Sequence, residues 1–318
     1  MGPGRSGLAS PTMNPWNTSD IPDQTGRLAI VTGANSGLGR VTATELARHG
    51  ADVVLAVRNV VAGEDAARDI SSAVPGAKLR VRRLDLASLA SVRAFADGVA
   101  EELGRVDLLV NNAGLVVLGP RRTTSDGFEL HLGTNLLGHF ALTGRLLPLL
   151  ARGEAPRVVS LSSITHKTAH LDFDDLMSER DYRAAPAYGA SKLATTVFGL
   201  ELDRRLRAAG SPVLSALAHP GISGTNLTPR AWADRGRAGR WIARLGLLAT
   251  QPVEQGALPQ LRAATAPGVR GGQFFGPGGF REMRGRVVEA PASAEAADPA
   301  VGQRLWSVAQ ELTGVTYL

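Results

Sequence analysis

Leu28-Ala-Ile-Val-Thr-Gly-Ala-Asn-Ser-Gly-Leu-Gly-Arg40 is the stretch that decides the fold. Leu28–Thr32 is a run of five aliphatic or β-branched residues, the signature of a strand buried on both faces. Helical spacing then begins at Leu38 and continues through Val41 and Leu46 to Gly50, a residue suited to the left-handed conformation that ends helices. Between strand and helix lie Gly33, Gly37 and Gly39. Gly33 permits the tight turn, Gly37 lets the backbone approach a pyrophosphate, and Gly39 lets helix and strand pack closely. The helix N-terminus adds unpaired N–H groups and positive dipole, with Asn35, Ser36, Leu38 and Arg40 alongside. This context implies dinucleotide binding.

Outward from this turn, further apolar runs alternate with helical-period segments: Asp52–Val57, Leu79–Leu84, Val106–Asn111, Arg157–Leu161, Val213–Ala218 and Gln273–Phe275. The alternation predicts an α/β fold, a Rossmann-type doubly wound, seven-stranded parallel sheet with helices on both faces, in one catalytic domain over residues 25–285. Residues 1–24 read as a disordered leader and residues 286–318 as a C-terminal tail with a short helix. Two segments break the rhythm, at about 164–185 and 222–252. Each follows the carboxyl end of a strand, where ligands bind in open α/β sheets, so both read as lids.

The end of the second strand reads Ala56-Val57-Arg58-Asn59. A carboxylate there would accept the ribose hydroxyls of NAD. This chain offers instead the guanidinium fork of Arg58, suited to a 2′-phosphate, with Asn59 beside it and Arg40 as a second clamp, so NADP(H) is expected over NAD(H).

The 318 residues include no cysteine, which excludes disulfides, thiolate metal sites and a catalytic thiol and points to the cytoplasm. The net charge of +6 is carried by scattered Lys and Arg, so an anionic dinucleotide accounts for it without nucleic acid. The most hydrophobic stretch, Leu136 to Leu150, is interrupted by His139, Arg145 and Pro148, so no integral membrane association is expected. A homo-oligomer is compatible with the sequence.

Tyr188-Gly-Ala-Ser-Lys192 opens a helix whose apolar positions Leu193, Val197 and Leu200 face inward. Spacing of four puts Tyr188 and Lys192 on one face. A phenol of pKa about 10 exchanges protons poorly at neutral pH, and an ammonium close by favours its phenolate.

Taken together and in order, these motifs resemble the short-chain dehydrogenase/reductase family from about Thr25 to Gly285. Asp85 with Leu86 resembles its adenine-contacting pair, and Asn111-Asn112-Ala113-Gly114 the turn after strand four that lines the cofactor. Asn135 resembles the helix asparagine that holds a water near the catalytic lysine, and Ser163 the serine that polarises the substrate oxygen. Pro220, Gly221 and Thr225 resemble the clasp on the nicotinamide carboxamide. Ala-Asn-Ser-Gly-Leu-Gly-Arg, Val-Arg-Asn and the 25 positions from Ser163 to Tyr188 resemble the retinol-dehydrogenase-like branch.

The resemblance implies Ser163, Tyr188, Lys192 and Asn135 as the catalytic set. The activity implied is NADP(H)-dependent hydride exchange with a carbonyl or alcohol on a bulky, rather apolar small molecule. A non-catalytic NADP(H)-binding redox sensor on the same fold is the alternative. His166, His170, Asp172, Asp174 and Asp175 read as a loop rather than a metal site. Arg230, Arg235, Arg237, Arg240 and Arg244 interleave with Trp232, Trp241 and leucines as a basic amphipathic stretch, read as a lid or a membrane-surface patch.

Overall fold

The computed structural model describes residues 15–222 and 251–318. Eight strands form one sheet: β1 (Leu28–Thr32), β2 (Asp52–Val57), β3 (Lys78–Arg83), β4 (Leu108–Asn111), β5 (Arg157–Leu161), β6 (Leu214–Ala218), β7 (Phe274–Pro277) and β8 (Val287–Glu289). Their order is β3-β2-β1-β4-β5-β6-β7-β8. The first seven run parallel, as the apolar runs predict. The short β8 pairs antiparallel with β7, Phe275 opposite Glu289, and extends the expected seven-stranded sheet by one edge strand. Every residue of β1, β4 and β5 is buried, which is why these strands read as unbroken apolar runs. The edge strand β3 alternates instead, with charged residues outward.

Helices α1 (Gly37–Arg48), α2 (Val60–Ala73) and α7 (Val253–Thr265) cover one face, contributing Leu46, Ile70 and Leu261 to its core. The other face is covered by α3 (Leu89–Glu102), α5 (Gly138–Leu150) and α6 (Ala184–Ala208), through Phe95, Phe140 and Val197. Between the short turn α4 (Leu130–Leu132) and α5 the backbone passes through a π-helical turn, Gly133–Leu137, that contains Asn135. Such turns concentrate at functional sites.

The C-terminal segment belongs to this core. After the single turn α8 (Ala294–Ala297), α9 (Pro299–Thr313) starts where Asp298 accepts from the Ala300 N–H at 2.8 Å and Pro299 takes the first helical position, and ends at Gly314 in the left-handed region. Trp306 is buried against Phe140 and Phe198, with the Arg205 guanidinium 4.5 Å above its ring. The leader reading also ends too late. Asn17 caps a 3-10 turn at Thr18–Asp20, Ile21 joins the second core, and Gln24 N–H donates to His49 O at 2.8 Å. Asn17, Ile21 and Gln24 are spaced with no period, which is why this docking was illegible.

The segment at 164–185 is packed down rather than standing free. Leu171 is buried, its N–H donates to Glu295 Oε1 at 2.9 Å, and Arg304 stacks on Phe173. The 222–252 stretch is described only at Ile222, Gln251 and Pro252, where Gln251 N–H donates to Ile222 O at 2.9 Å. Its arginines and tryptophans, and Thr225, lie outside the described residues. Among the described residues no helix is long and apolar enough to cross a membrane.

Candidate active site

Sequence order reverses between β1, which leads outward to β2 and β3, and β4, which leads to β5 and β6. This switch point opens a crevice at the carboxyl ends of the strands, and the candidate residues converge on it. At one end, Gly33 and Gly37 adopt φ of +67° and +53°, a region that favours glycine. Ser36 precedes α1 without a side-chain cap, so no hydroxyl competes for the first-turn N–H groups. A Cβ on Gly39 would sit 2.4 Å from Gly33 O, the close helix–strand approach expected of it. Leu38 is buried beneath the turn, Asn35 half-buried, and Ser36 exposed.

The loop after β4 is fastened to this turn. Thr32 Oγ1 accepts from the Asn112 and Ala113 N–H groups at 3.0 and 2.8 Å, and Asn112 Nδ2 donates to Thr32 O at 2.7 Å. Gln260 of α7, which the sequence reading missed, is buried against Leu38 O, Thr42 and Asn112. The uncapped helix N-terminus and the left-handed glycines fit a dinucleotide diphosphate.

At the end of β2, Arg58 and Asn59 are exposed. Asn59 Oδ1 accepts from the Ala62 N–H at 3.2 Å, so it also caps α2. Arg40 pairs with Asp69 at 3.1 Å on the surface and must release it to reach a ligand. Asp85 is half-buried with its carboxylate on the Ala87 N–H, and Leu86 is buried.

At the other end, Tyr188 stands on the second turn of α6, and Ser163, whose hydroxyl acts on the phenol, lies just past β5. Ser163 also caps the 3-10 turn Ile164–Lys167, its Oγ accepting from Thr165 N–H at 3.3 Å. Lys192 is buried one turn along α6, and Nζ donates to Leu161 O at 2.9 Å. A Cβ on Gly114 would lie 3.2 Å from that Nζ, so the loop after β4 touches the lysine.

Burial pushes the Tyr188 phenol above its ordinary value, with the nearby Ser163 hydroxyl pulling the other way. Burial pushes Lys192 down to about 8. The expected lowering of Tyr188 by Lys192 is therefore not what this structure holds, because the ammonium is engaged with a carbonyl and desolvation dominates both groups.

Asn135 is buried and its side chain is a clamp on the loop after β4. Oδ1 accepts from Leu115 N–H at 2.9 Å, and Nδ2 donates to Leu115 O and Ser191 Oγ. Its carbonyl accepts from His139 Nδ1 at 3.1 Å, one turn on. His139 Nε2 faces the Thr32 hydroxyl at 3.0 Å, and burial lowers its pKa to about 4, so it is a neutral bridge between the two ends of the crevice. His131, equally buried, donates from Nδ1 to Glu129 and accepts from Val117 N–H, with its ring edge toward Tyr188 at 6.0 Å. None of these histidines was singled out from sequence. Their only signal was a polar residue on an otherwise apolar helical stretch.

Pro220 and Gly221 follow β6, with Gly221 N–H donating to His219 Nδ1 at 3.3 Å. His166 and His170 have separate partners, Ser163 O and Glu295.

Comparison with known proteins shows the family. Residues 27–236 match the short chain dehydrogenase family. The chain is 42% identical to polyprenol dehydrogenase of Mus musculus over 92% of its own length and 86% of the relative's. It is 40% identical to retinol dehydrogenase 13 of Homo sapiens over 91% and 85%. A crystal structure of an uncharacterized protein from Mycobacterium Paratuberculosis superposes with a TM-score of 0.79 at 40% identity, covering 96% of this chain and 100% of that one. More distant structures carry different cofactors. A protein from Beutenbergia cavernae holds NADP (28% identity, TM-score 0.61, 79% and 95% covered), and one from Burkholderia phymatum holds NAD (26%, 0.60, 76% and 86%).

Proposed function

As this chain belongs to the short-chain dehydrogenase family, oxidoreductases that use a nicotinamide cofactor, we propose that it exchanges a hydride between NADP(H) and the carbonyl or alcohol carbon of a bulky, rather apolar molecule. The observation that carries the reading is the convergence of Ser163, Tyr188 and the buried Lys192 at the carboxyl edge of the sheet that also carries the glycine turn.

The bound dinucleotide supplies the hydride. The Gly33–Gly39 turn and the N-terminus of α1 hold its phosphates, with Asp85 and Leu86 toward the adenine and Pro220–Gly221 toward the carboxamide. Arg58 meets the 2′-phosphate, in the place where a carboxylate would repel it. Ser163 and Tyr188 both donate hydrogen bonds to the substrate oxygen, meeting negative charge where it develops. Because burial keeps the phenol protonated at neutral pH, Tyr188 is set to give its proton to that oxygen in carbonyl reduction. Lys192 lies behind the phenol and binds the nicotinamide ribose. Asn135 holds the loop after β4 and a proton-relay water. The apolar substrate class is supported by the names of two relatives, polyprenol and retinol dehydrogenase, both for long apolar alcohols.

The test is fluorescence titration with NADPH and NADH, followed by oxidation rates at 340 nm against long-chain and cyclic apolar aldehydes and ketones. NADPH is expected to bind about tenfold or more tighter than NADH, with turnover on apolar carbonyls, and Arg58→Asp should reverse the preference. Tight binding with no turnover on any carbonyl would favour a redox sensor, and an unchanged ratio in Arg58→Asp would remove Arg58 as selector.

A further inference from the structure

Three residues outside the catalytic set join the two turns on which the reaction geometry depends. Lys167 closes the 3-10 turn that Ser163 opens. His219 closes the path from β6 into Pro220 and Gly221 and is fully buried. Glu282, in the turn between β7 and β8, reaches both: Oε1 pairs with Lys167 Nζ, and Oε2 accepts from His219 Nε2 at 2.9 Å. The histidine tautomer follows from its other partner. Nδ1 accepts the Gly221 N–H at 3.3 Å, so the ring proton sits on Nε2 and points at Glu282.

The backbone around Glu282 makes the same connection. Ile222 N–H donates to Met283 O at 2.8 Å, and a Cβ on Gly221 would lie 2.4 Å from that oxygen. Arg281 and Glu282 both adopt positive φ, 48° and 55°, a region that residues with a Cβ rarely enter. Such a conformation persists where surrounding contacts fix it. Here the fixing contacts run to Lys167, His219 and Ile222. Phe274 fills the space between, its ring 5.1 Å from His166 and 5.3 Å from His219.

We propose that Glu282 is a positioning residue that locks the Ser163 turn to the Pro220–Gly221 turn, so that the donor to the substrate oxygen and the clasp on the nicotinamide are set as one unit. The inference rests on the function proposed above. It assigns to the carboxylate an effect on the nicotinamide half of the cofactor and on turnover, and none on the adenosine half, because the side-chain partners of Glu282 among the described residues, Lys167 and His219, follow β5 and β6 while the adenosine end is built on β1, β2 and their loops.

The experiment compares Glu282→Gln and Glu282→Gly with wild type for binding of NADPH and of adenosine 2′,5′-bisphosphate, which carries no nicotinamide, together with kcat, KM and Tm. Glu282→Gln keeps the size and loses the charge facing Lys167. Glu282→Gly relieves the positive φ, so it folds even if the first variant does not. Both are expected to weaken NADPH about fivefold or more and lower kcat about tenfold, with the bisphosphate within about twofold of wild type. Equal weakening of both ligands with a lowered Tm would mean a general structural role and overturn the inference, as would two variants indistinguishable from wild type. Failure of the wild type to bind either nicotinamide cofactor overturns the parent reading and this one with it, whereas wild-type binding and turnover with unaffected variants overturns this one alone.

Discussion

The glycine turn at the head of α1 and the Ser163–Tyr188–Lys192 cluster face one crevice, yet they are built by different means. The turn is made of backbone. Its properties, two left-handed glycines, an uncapped helix N-terminus and a helix–strand approach too close for a Cβ, are all encoded within Gly33–Gly39. The cluster is made of side chains drawn from a strand end and a helix, and it is held in place by polar groups from elsewhere: Asn135 and His139 from the π turn and α5, Glu129 and His131 from the start of α4, Glu282 from beyond β7. A ligand site that asks only for N–H groups can be local. One that must hold a phenol, a hydroxyl and an ammonium dry and in register cannot.

That contrast predicts two separable failures. The larger is Tyr188→Phe, which removes the proton donor and nothing from the glycine turn. Turnover is expected to fall by about a thousandfold or more, with NADPH affinity within a few-fold of wild type. Substantial residual activity would show that another group donates the proton. The smaller is Gly39→Ala. The new methyl would meet Gly33 O at 2.4 Å and Asn112 Nδ2 at 2.5 Å, so α1 must move off the strand and the first-turn N–H groups with it. Cofactor affinity is expected to drop about ten- to a hundredfold, with kcat at saturating cofactor much less affected. A variant with wild-type affinity would mean that the phosphates are not held by this turn.

The same contrast explains what could be read in advance. β1, β2 and β5 stand at their sequence-predicted bounds because their apolar runs are delimited by Arg27 and Gly33, by Asp52 and Arg58, and by Pro156 and Ser162. β4 and β6 begin later than the runs suggest, Val106 and Val213 being buried but ahead of the ladder. β8, three residues long and inside an apparent tail, has no period to detect. Within the crevice, the motif residues were legible because each sits in a short pattern, and the structure brings Ser163, Tyr188, Lys192 and Asn135 to one place. The groups that hold them were not. Glu282 lies 115 positions after the lysine it pairs with. Gln260 lies 148 positions after Asn112. No local spacing records such partnerships. The direction that the protein alone gives the Tyr188 shift was not legible for a related reason: sequence gives the i, i+4 pairing, while that direction is set by burial, which only the assembled core decides.

His139 tests whether the bridge between the two regions is as dry as its surroundings imply, and its effect is the smallest. Burial holds its pKa near 4, against about 6.5 for an unperturbed histidine. Its folded-state pKa is depressed, so as pH falls from about 6.5 to 4 the unfolded chain takes up a proton that the folded protein refuses. Stability is thus present above the unfolded value and lost on acidification, by an amount of the order of 3 kcal/mol for this residue. His219, also lowered to about 4, contributes a parallel loss. In His139→Gln the amide cannot titrate. The variant should be less stable than wild type at pH 7, because it keeps at most one of the bonds to Asn135 O and Thr32, but its urea midpoint should decline less steeply between pH 6.5 and 4. Parallel slopes for the two proteins would show that His139 binds a proton in the folded state and that water reaches the junction between the glycine turn and the catalytic cluster.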